Sequence, residues 1–146
     1  MAGGAQSRAA CRTFGAFRTP KPAMSSIHEV ASQFTAMMRA GQFVAAGNRY
    51  WADDVVSMEP ANFAGGERST VSGVAAARIK CAAAFGTAVI DEIGIDGPFI
   101  TGNQFALFLD LVTVDSASGV RRPFTEIALY TVRGHHIAEE RHFYDL

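Results

Sequence analysis

Apolar positions from Ile27 onward fall first into helical and then into strand periodicity. Ile27, Val30, Ala31, Phe34, Met37 and Met38 recur at three- and four-residue spacing, which predicts a helix over 27–40. Ser26 followed by Glu29 is a capping box, and Gly41 supplies a stop. A shorter helical piece is expected over 42–51, with Phe43, Val44, Tyr50 and Trp51 as its apolar residues. Asp53-Asp54 then gives way to a short strand over 55–58 that Pro60 ends. A polar, glycine-bearing loop follows over 62–70, and Gly73 opens an alanine-dense third helix over 74–85.

Beyond that helix the period changes to two. Segments 88–95, 104–114, 122–133 and 137–144 are rich in β-branched and aromatic residues. They are separated by Gly97-Pro98 and Thr101-Gly102-Asn103, by the 115–119 stretch, and by Gly134, all of which carry hairpin chemistry. Helices first and long antiparallel strands afterwards is the α+β pattern. Phe105-Ala106-Leu107-Phe108-Leu109 is apolar on both faces of its strand. Three helices cannot cover both faces of such a sheet, so a homodimer packed through its sheets is expected.

Composition narrows the field. With 146 residues, 49% hydrophobic and 18% charged, the chain can bury one core, and a single domain over 24–146 is expected. The formal net charge of −1, without clustered Lys and Arg, speaks against a nucleic-acid partner. No apolar run approaches the ~18 residues of a membrane span. Cys11 and Cys81 are too few and too far apart for a disulfide framework or a zinc site, which fits free thiols in a reducing, cytoplasmic setting; no metal and no cofactor are expected. Residues 1–23 are arginine-bearing and free of acidic residues, the composition of a transit peptide. A disordered leader, or a start placed too early with Met24 opening the domain, fits them as well, so organellar import stays a minor alternative.

Four strings carry a resemblance. The run from Tyr50 to Pro60, YWADDVVSMEP, joins a helix end to a strand closed by an acid and a proline. Gly73 with Ala76 to Lys80, Gly97-Pro98-Phe99-Ile100 before Phe105-Ala106-Leu107, and Glu126 to Val132 before Ile137 to Tyr144 complete the set. In this order and spacing they resemble the nuclear transport factor 2-like superfamily, most closely its small SnoaL-like domains. The resemblance implies a cone-shaped, curved antiparallel sheet wrapped around a pocket, with three N-terminal helices. Relatives of this kind include polyketide cyclases, ketosteroid isomerases, dehydratases and epoxide hydrolases, and others only bind, so the fold does not choose an activity.

Carried over from the isomerase pattern, Glu59 matches the general base. Desolvation favours the neutral form of a carboxylate, which makes a buried one a useful base near neutral pH. Helix spacing turns Lys80 toward the same cavity, where an ion pair with Glu59 would work the other way. Strand alternation groups Glu140, His142 and Tyr144 on one face and Glu126, Ala128 and Tyr130 on another. The isomerase pattern turns Glu140, His142, Tyr144, Ala128 and Tyr130 inward, with Leu107, Leu109 and Leu111 as the apolar wall. His142 and Tyr144 are candidate proton donors opposite Glu59; His142 in a dimer interface or as a satisfied core histidine is the competing reading. Glu126 is expected to pair with Arg121 or Arg122 at the strand edge, with entry into the pocket rim as the alternative. Cys81, with no adjacent base, reads as packing, and His135 and His136 beside Gly134 as solvated turn residues.

The isomerase pattern is also broken. Its helix-one tyrosine falls at Thr35 and its proton-donating aspartate at Ala128. Each oxyanion donor is worth ~2.7–4 kcal/mol, so steroid isomerisation is disfavoured. Two expectations remain: cofactor-independent acid–base catalysis of the isomerase, cyclase or dehydratase type on a small apolar molecule, or a non-catalytic dimeric module that binds a ligand or a protein.

Overall fold

A computed structural model describes residues 26–60, 69–84, 86 and 88–144. The leader, most of the polar loop expected over 62–70, Phe85, Cys11 and the Ser26 side chain of the expected capping box lie outside what is described. The elements run α1 (Ser26–Arg39), α2 (Phe43–Tyr50), β1 (Trp51–Met58), β2 (Thr70–Ser72), α3 (Val74–Ala84), β3 (Ala88–Thr101), β4 (Gln104–Asp115), β5 (Arg121–Arg133) and β6 (His136–Phe143). Six strands form one curved, unclosed sheet in the order β2-β1-β6-β5-β4-β3. All neighbouring pairs are antiparallel except β1 and β6, which run parallel. That one pair brings the first and last strands together, and with them residues from opposite parts of the chain.

Helix α1 lays Ile27, Val30, Phe34 and Met38 against the sheet. Phe34 packs edge-on to Tyr50, Phe105 and Tyr130, and Phe105 stacks on Tyr130 with ring centroids 4.8 Å apart. Fully burying each such ring contributes about 1.5–3 kcal/mol, so this aromatic cluster anchors the helix to β4 and β5. The last turn of α1 is tied down separately: Arg39 donates from Nε to the Ile95 carbonyl (3.2 Å) and from Nη2 to the Gly97 carbonyl (2.8 Å).

Three sequence expectations change. Gly97-Pro98 does not separate two strands. β3 passes through it with a register shift between Asp96 and Phe99, and the extended backbone continues to Thr101. Gly97 has φ +113, and a Cβ there would meet the Ala106 carbonyl at 2.8 Å, so this bulge requires glycine. β1 starts at Trp51 rather than Val55, with exposed Asp53 and Asp54 side by side at a register shift; Asp54 pairs with Arg133 at the surface. β2, three residues long and exposed at both ends, was absent from the sequence reading because it has no apolar face.

Candidate active site

The concave face of the sheet, with α1, α2 and α3 over it, encloses a cavity of about 470 Å³, within the usual range for small-molecule sites. Its apolar wall includes Phe34, Met38, Phe43, Trp51, Leu109 and Phe124. Leu109 is part of it as expected. Leu107 and Leu111 share its face but are fully buried in the packed core and are not part of the cavity lining. Tyr130 lines the inner end, completely buried, its hydroxyl held well above its ordinary pKa by burial and then by nearby carboxylates.

At that inner end the structure gathers Glu59, Lys80, Glu126, Glu140, His142 and Tyr144. Glu59 follows directly on β1. Its Oε1 is ion-paired with Lys80 Nζ, from α3, and its Oε2 accepts a 2.7 Å hydrogen bond from the Tyr144 hydroxyl. The side chains of Glu59 and Lys80 are each only 6% exposed, so neither charge is carried by solvent. Burial and the Glu59 hydrogen bond push the Tyr144 hydroxyl far above its ordinary pKa, so it stays a neutral donor.

His142 occupies the centre. Its Nδ1 is hydrogen-bonded to Glu126 Oε1, while Nε2 lies 3.6 Å from Glu140 Oε1 and 4.0 Å from Glu59 Oε1. Burial alone would favour neutral imidazole. The Glu126 hydrogen bond and the adjacent Glu140 charge outweigh it and lift the ring to about 10, so near neutral pH it is an imidazolium. An imidazolium has two donors and no acceptor. One is spent on Glu126; the other, Nε2, is buried and makes no hydrogen bond to the protein.

Glu140 is fixed by two partners: Ser57 Oγ donates to Oε1 (2.5 Å) and Trp51 Nε1 to Oε2 (2.8 Å). Burial works against its charge, but His142, Ser57 and Trp51 together hold the carboxyl below its ordinary range. Ser57 reaches it because Ser57 and Glu140 are register partners in the parallel β1–β6 pair. Trp51 reaches it because α2 passes close: a Cβ on Gly47 would lie 2.4 Å from the indole, so only glycine lets the ring lie flat there.

Sequence reasoning therefore located Glu59, Lys80, Glu140, His142, Tyr144 and Tyr130 at one cavity and missed three partners. Glu126 turns inward to His142 rather than to the strand edge; Arg121 pairs instead with Asp91 and Glu92. Its shared parity with Ala128 and Tyr130 was the available signal. Ser57 and Trp51 had none, since a buried serine and a helix-end tryptophan both read as core. Cys81 lines the cavity as a free thiol raised to about 11, mainly by burial, and so is not a nucleophile near neutral pH. His135 and His136 are exposed at the last turn. Thr35 spends its hydroxyl on the Ala31 carbonyl (2.6 Å), and Ala128 offers no donor. The register partner of Ala128 is His142, so a donor stands beside that position on the next strand.

Helices on one face of a curved, open sheet, over a largely apolar cavity with a cluster of charged groups in its lining, define the pocketed α+β class of the nuclear transport factor 2-like proteins. The SnoaL-like domain family model matches residues 25–144, and the chain belongs to that family. A Mesorhizobium loti protein provisionally assigned as a SnoaL-like polyketide cyclase is 32% identical, with 81% of this chain and 98% of that one covered and a TM-score of 0.72. A nuclear transport factor 2-like protein of unknown function from Burkholderia pseudomallei shares the fold at 14% identity (84% and 92% covered, TM-score 0.67). So does a Catenulispora acidiphila protein with a ketosteroid isomerase-like fold, solved with trimethylamine, at 16% identity (81% and 86% covered, TM-score 0.60). No curated protein matches. Among the described residues no helix is long and apolar enough to cross a membrane.

Proposed function

We propose that the chain admits a small, largely apolar molecule bearing a carbonyl-type oxygen and catalyses cofactor-independent proton transfer on it, in the manner of an isomerase, cyclase or dehydratase. The observation that carries this reading is the buried Nε2 of His142, which makes no hydrogen bond to the protein and stands 3.6 Å from the Glu140 carboxylate and 4.0 Å from that of Glu59. A ligand oxygen accepting from Nε2 would be polarised by a full positive charge in an apolar setting, and negative charge developing on it would be stabilised there. The carbon next to that carbonyl then lies within reach of Glu59, the base. Lys80 and the Tyr144 hydroxyl hold the Glu59 carboxylate in place and leave it unshared lone pairs.

A direct test uses 1-tetralone, an aryl ketone of suitable size, in deuterated buffer, with exchange at the carbon next to the carbonyl followed by NMR. Wild-type protein is expected to accelerate exchange, and Glu59→Gln to lose at least about a hundredfold of that acceleration with affinity for tetralone kept within about tenfold. Retained exchange in the variant would exclude Glu59 as base. One observation favours the second reading, a non-catalytic binding module: both Glu59 oxygens already have partners. Tetralone bound by the wild type without any exchange is the outcome that reading expects.

The convex face supports a second copy of the chain as its cover. Phe108, Ile127 and Phe143 are register partners across β4, β5 and β6 and are 37%, 50% and 50% exposed, a continuous apolar row. Phe108→Asp is expected to convert a dimer into monomers or aggregates. An unchanged dimer mass by light scattering would count against sheet-to-sheet packing.

A further inference from the structure

Strand β5 carries a gradient along the cavity. Arg122, Phe124, Glu126, Ala128 and Tyr130 alternate onto the concave face in an unbroken register with β4, passing from exposed at Arg122 to fully buried at Tyr130. Arg122 and Glu126 are four residues apart on that face, about 13 Å along an extended strand. Arg122 thus stands at the opposite end of the cavity from the His142 cluster, and it lines the cavity with Thr113, its register partner on β4.

Arg39, Arg49, Arg78, Arg121, Arg133 and Arg141 each donate a hydrogen bond, whereas among the described residues the Arg122 guanidinium makes none and only feels the exposed Asp115 carboxylate at longer range. The inner end, by contrast, holds three carboxylates (Glu59, Glu126, Glu140) against two cations (Lys80, His142), a formal surplus of one negative charge. An anionic group is repelled from that end and attracted to the mouth; a neutral acceptor meets the reverse preference at His142 Nε2.

We propose that Arg122 is the specificity determinant of the site, reading an anionic group at the outer end of the ligand, so that the substrate class is an apolar carbonyl compound carrying a carboxylate roughly 10 Å from its carbonyl-type oxygen: Arg122 lies six residues, about 20 Å of extended strand, from Ala128, the register partner of His142, and the arginine and histidine side chains span the remainder. This rests on the cavity binding a carbonyl-bearing molecule with its oxygen toward His142. A forked guanidinium suits a carboxylate in a way an ammonium does not.

Two probes separate the claims: 6-benzoylhexanoate and its carboxamide, which share an aryl ketone and differ in charge at the far end. Binding is measured by calorimetry at low salt. Wild-type protein is expected to prefer the acid by about fivefold, the scale of one exposed ion pair. Arg122→Gln should erase that preference while leaving affinity for the amide unchanged, and higher salt should narrow it in the wild type. His142→Gln should weaken both probes alike and keep the preference. Equal binding of acid and amide by the wild type, or a preference that survives in Arg122→Gln, overturns the assignment of Arg122 and leaves the cavity reading standing. Failure of the wild type to bind either probe overturns both.

Discussion

Replacing Glu140 with alanine is expected to destabilise the fold by about 3–5 kcal/mol, measured by chemical denaturation. The carboxylate is 4% exposed and is engaged by three groups at once: Ser57, Trp51 and the His142 imidazolium. Truncation leaves a buried hydroxyl and a buried indole N–H without partners and removes one of the three carboxylates beside His142, and each loss is costly where water does not enter. Glu140→Gln separates the contributions. The amide oxygen can still accept one of the two hydrogen bonds but carries no charge, so an intermediate loss is expected. A loss below about 1 kcal/mol for the alanine variant would mean that the site relaxes and admits water, and would leave Glu126 as the main group that holds His142 charged.

The second large effect is a dependence of stability on pH centred on His142. An imidazole titrates near 6.5 in the unfolded chain and at about 10 in the fold, so folding takes up a proton between those values. The stability this contributes is complete below pH 6.5 and is lost as pH rises toward 10. Glu140 acts in the other direction. Its carboxyl is held below the ordinary 4.5, so its contribution is present above that pH and is lost on acidification. Maximum stability is therefore expected between about pH 4.5 and 6.5. Above pH 9 the buried Cys81 thiol, raised to about 11, adds its own downward slope. The His142 contribution is accordingly read between pH 6.5 and 9, where at about 1.4 kcal/mol per pH unit it amounts to a few kcal/mol. Thermal or urea unfolding across that window should slope downward in the wild type and stay level in His142→Gln. A parallel slope in both proteins would assign the proton to another group.

How far the sequence displayed this arrangement depends on the range of the interaction concerned. The helical stripe of α1 and the period-two strands were readable because burial on one face writes itself into adjacent residues. Inward-facing Glu140, His142 and Tyr144 were readable for the same reason, once alternation was tied to a face by the family resemblance. Glu126 was misassigned because alternation gives its face but not its partner: the choice between a strand-edge arginine and a buried histidine depends on β5–β6 register, which no local pattern states. The role of Trp51 rests on the close passage of Gly47 beneath its ring, and that of Ser57 on a parallel pairing between strands at opposite ends of the domain. Gly97-Pro98 misled in the other direction, its turn chemistry serving a bulge inside one long strand.

The parallel pairing of β1 with β6 has a consequence for the timing of assembly. Ser57 and Glu140 are 83 positions apart in the chain, and Glu59 and Tyr144 are 85. Contacts of such span carry a large loop-closure cost and form late in folding. During synthesis the helices and the β3–β4 hairpin can begin to pack as they emerge, whereas the ionised cluster waits for the sixth strand to leave the ribosome. Until then Ser57 belongs to a half-built sheet whose β1 edge is open, and arrival of β6 closes that edge and adds Glu140, His142 and Tyr144 to the Glu59–Lys80 pair.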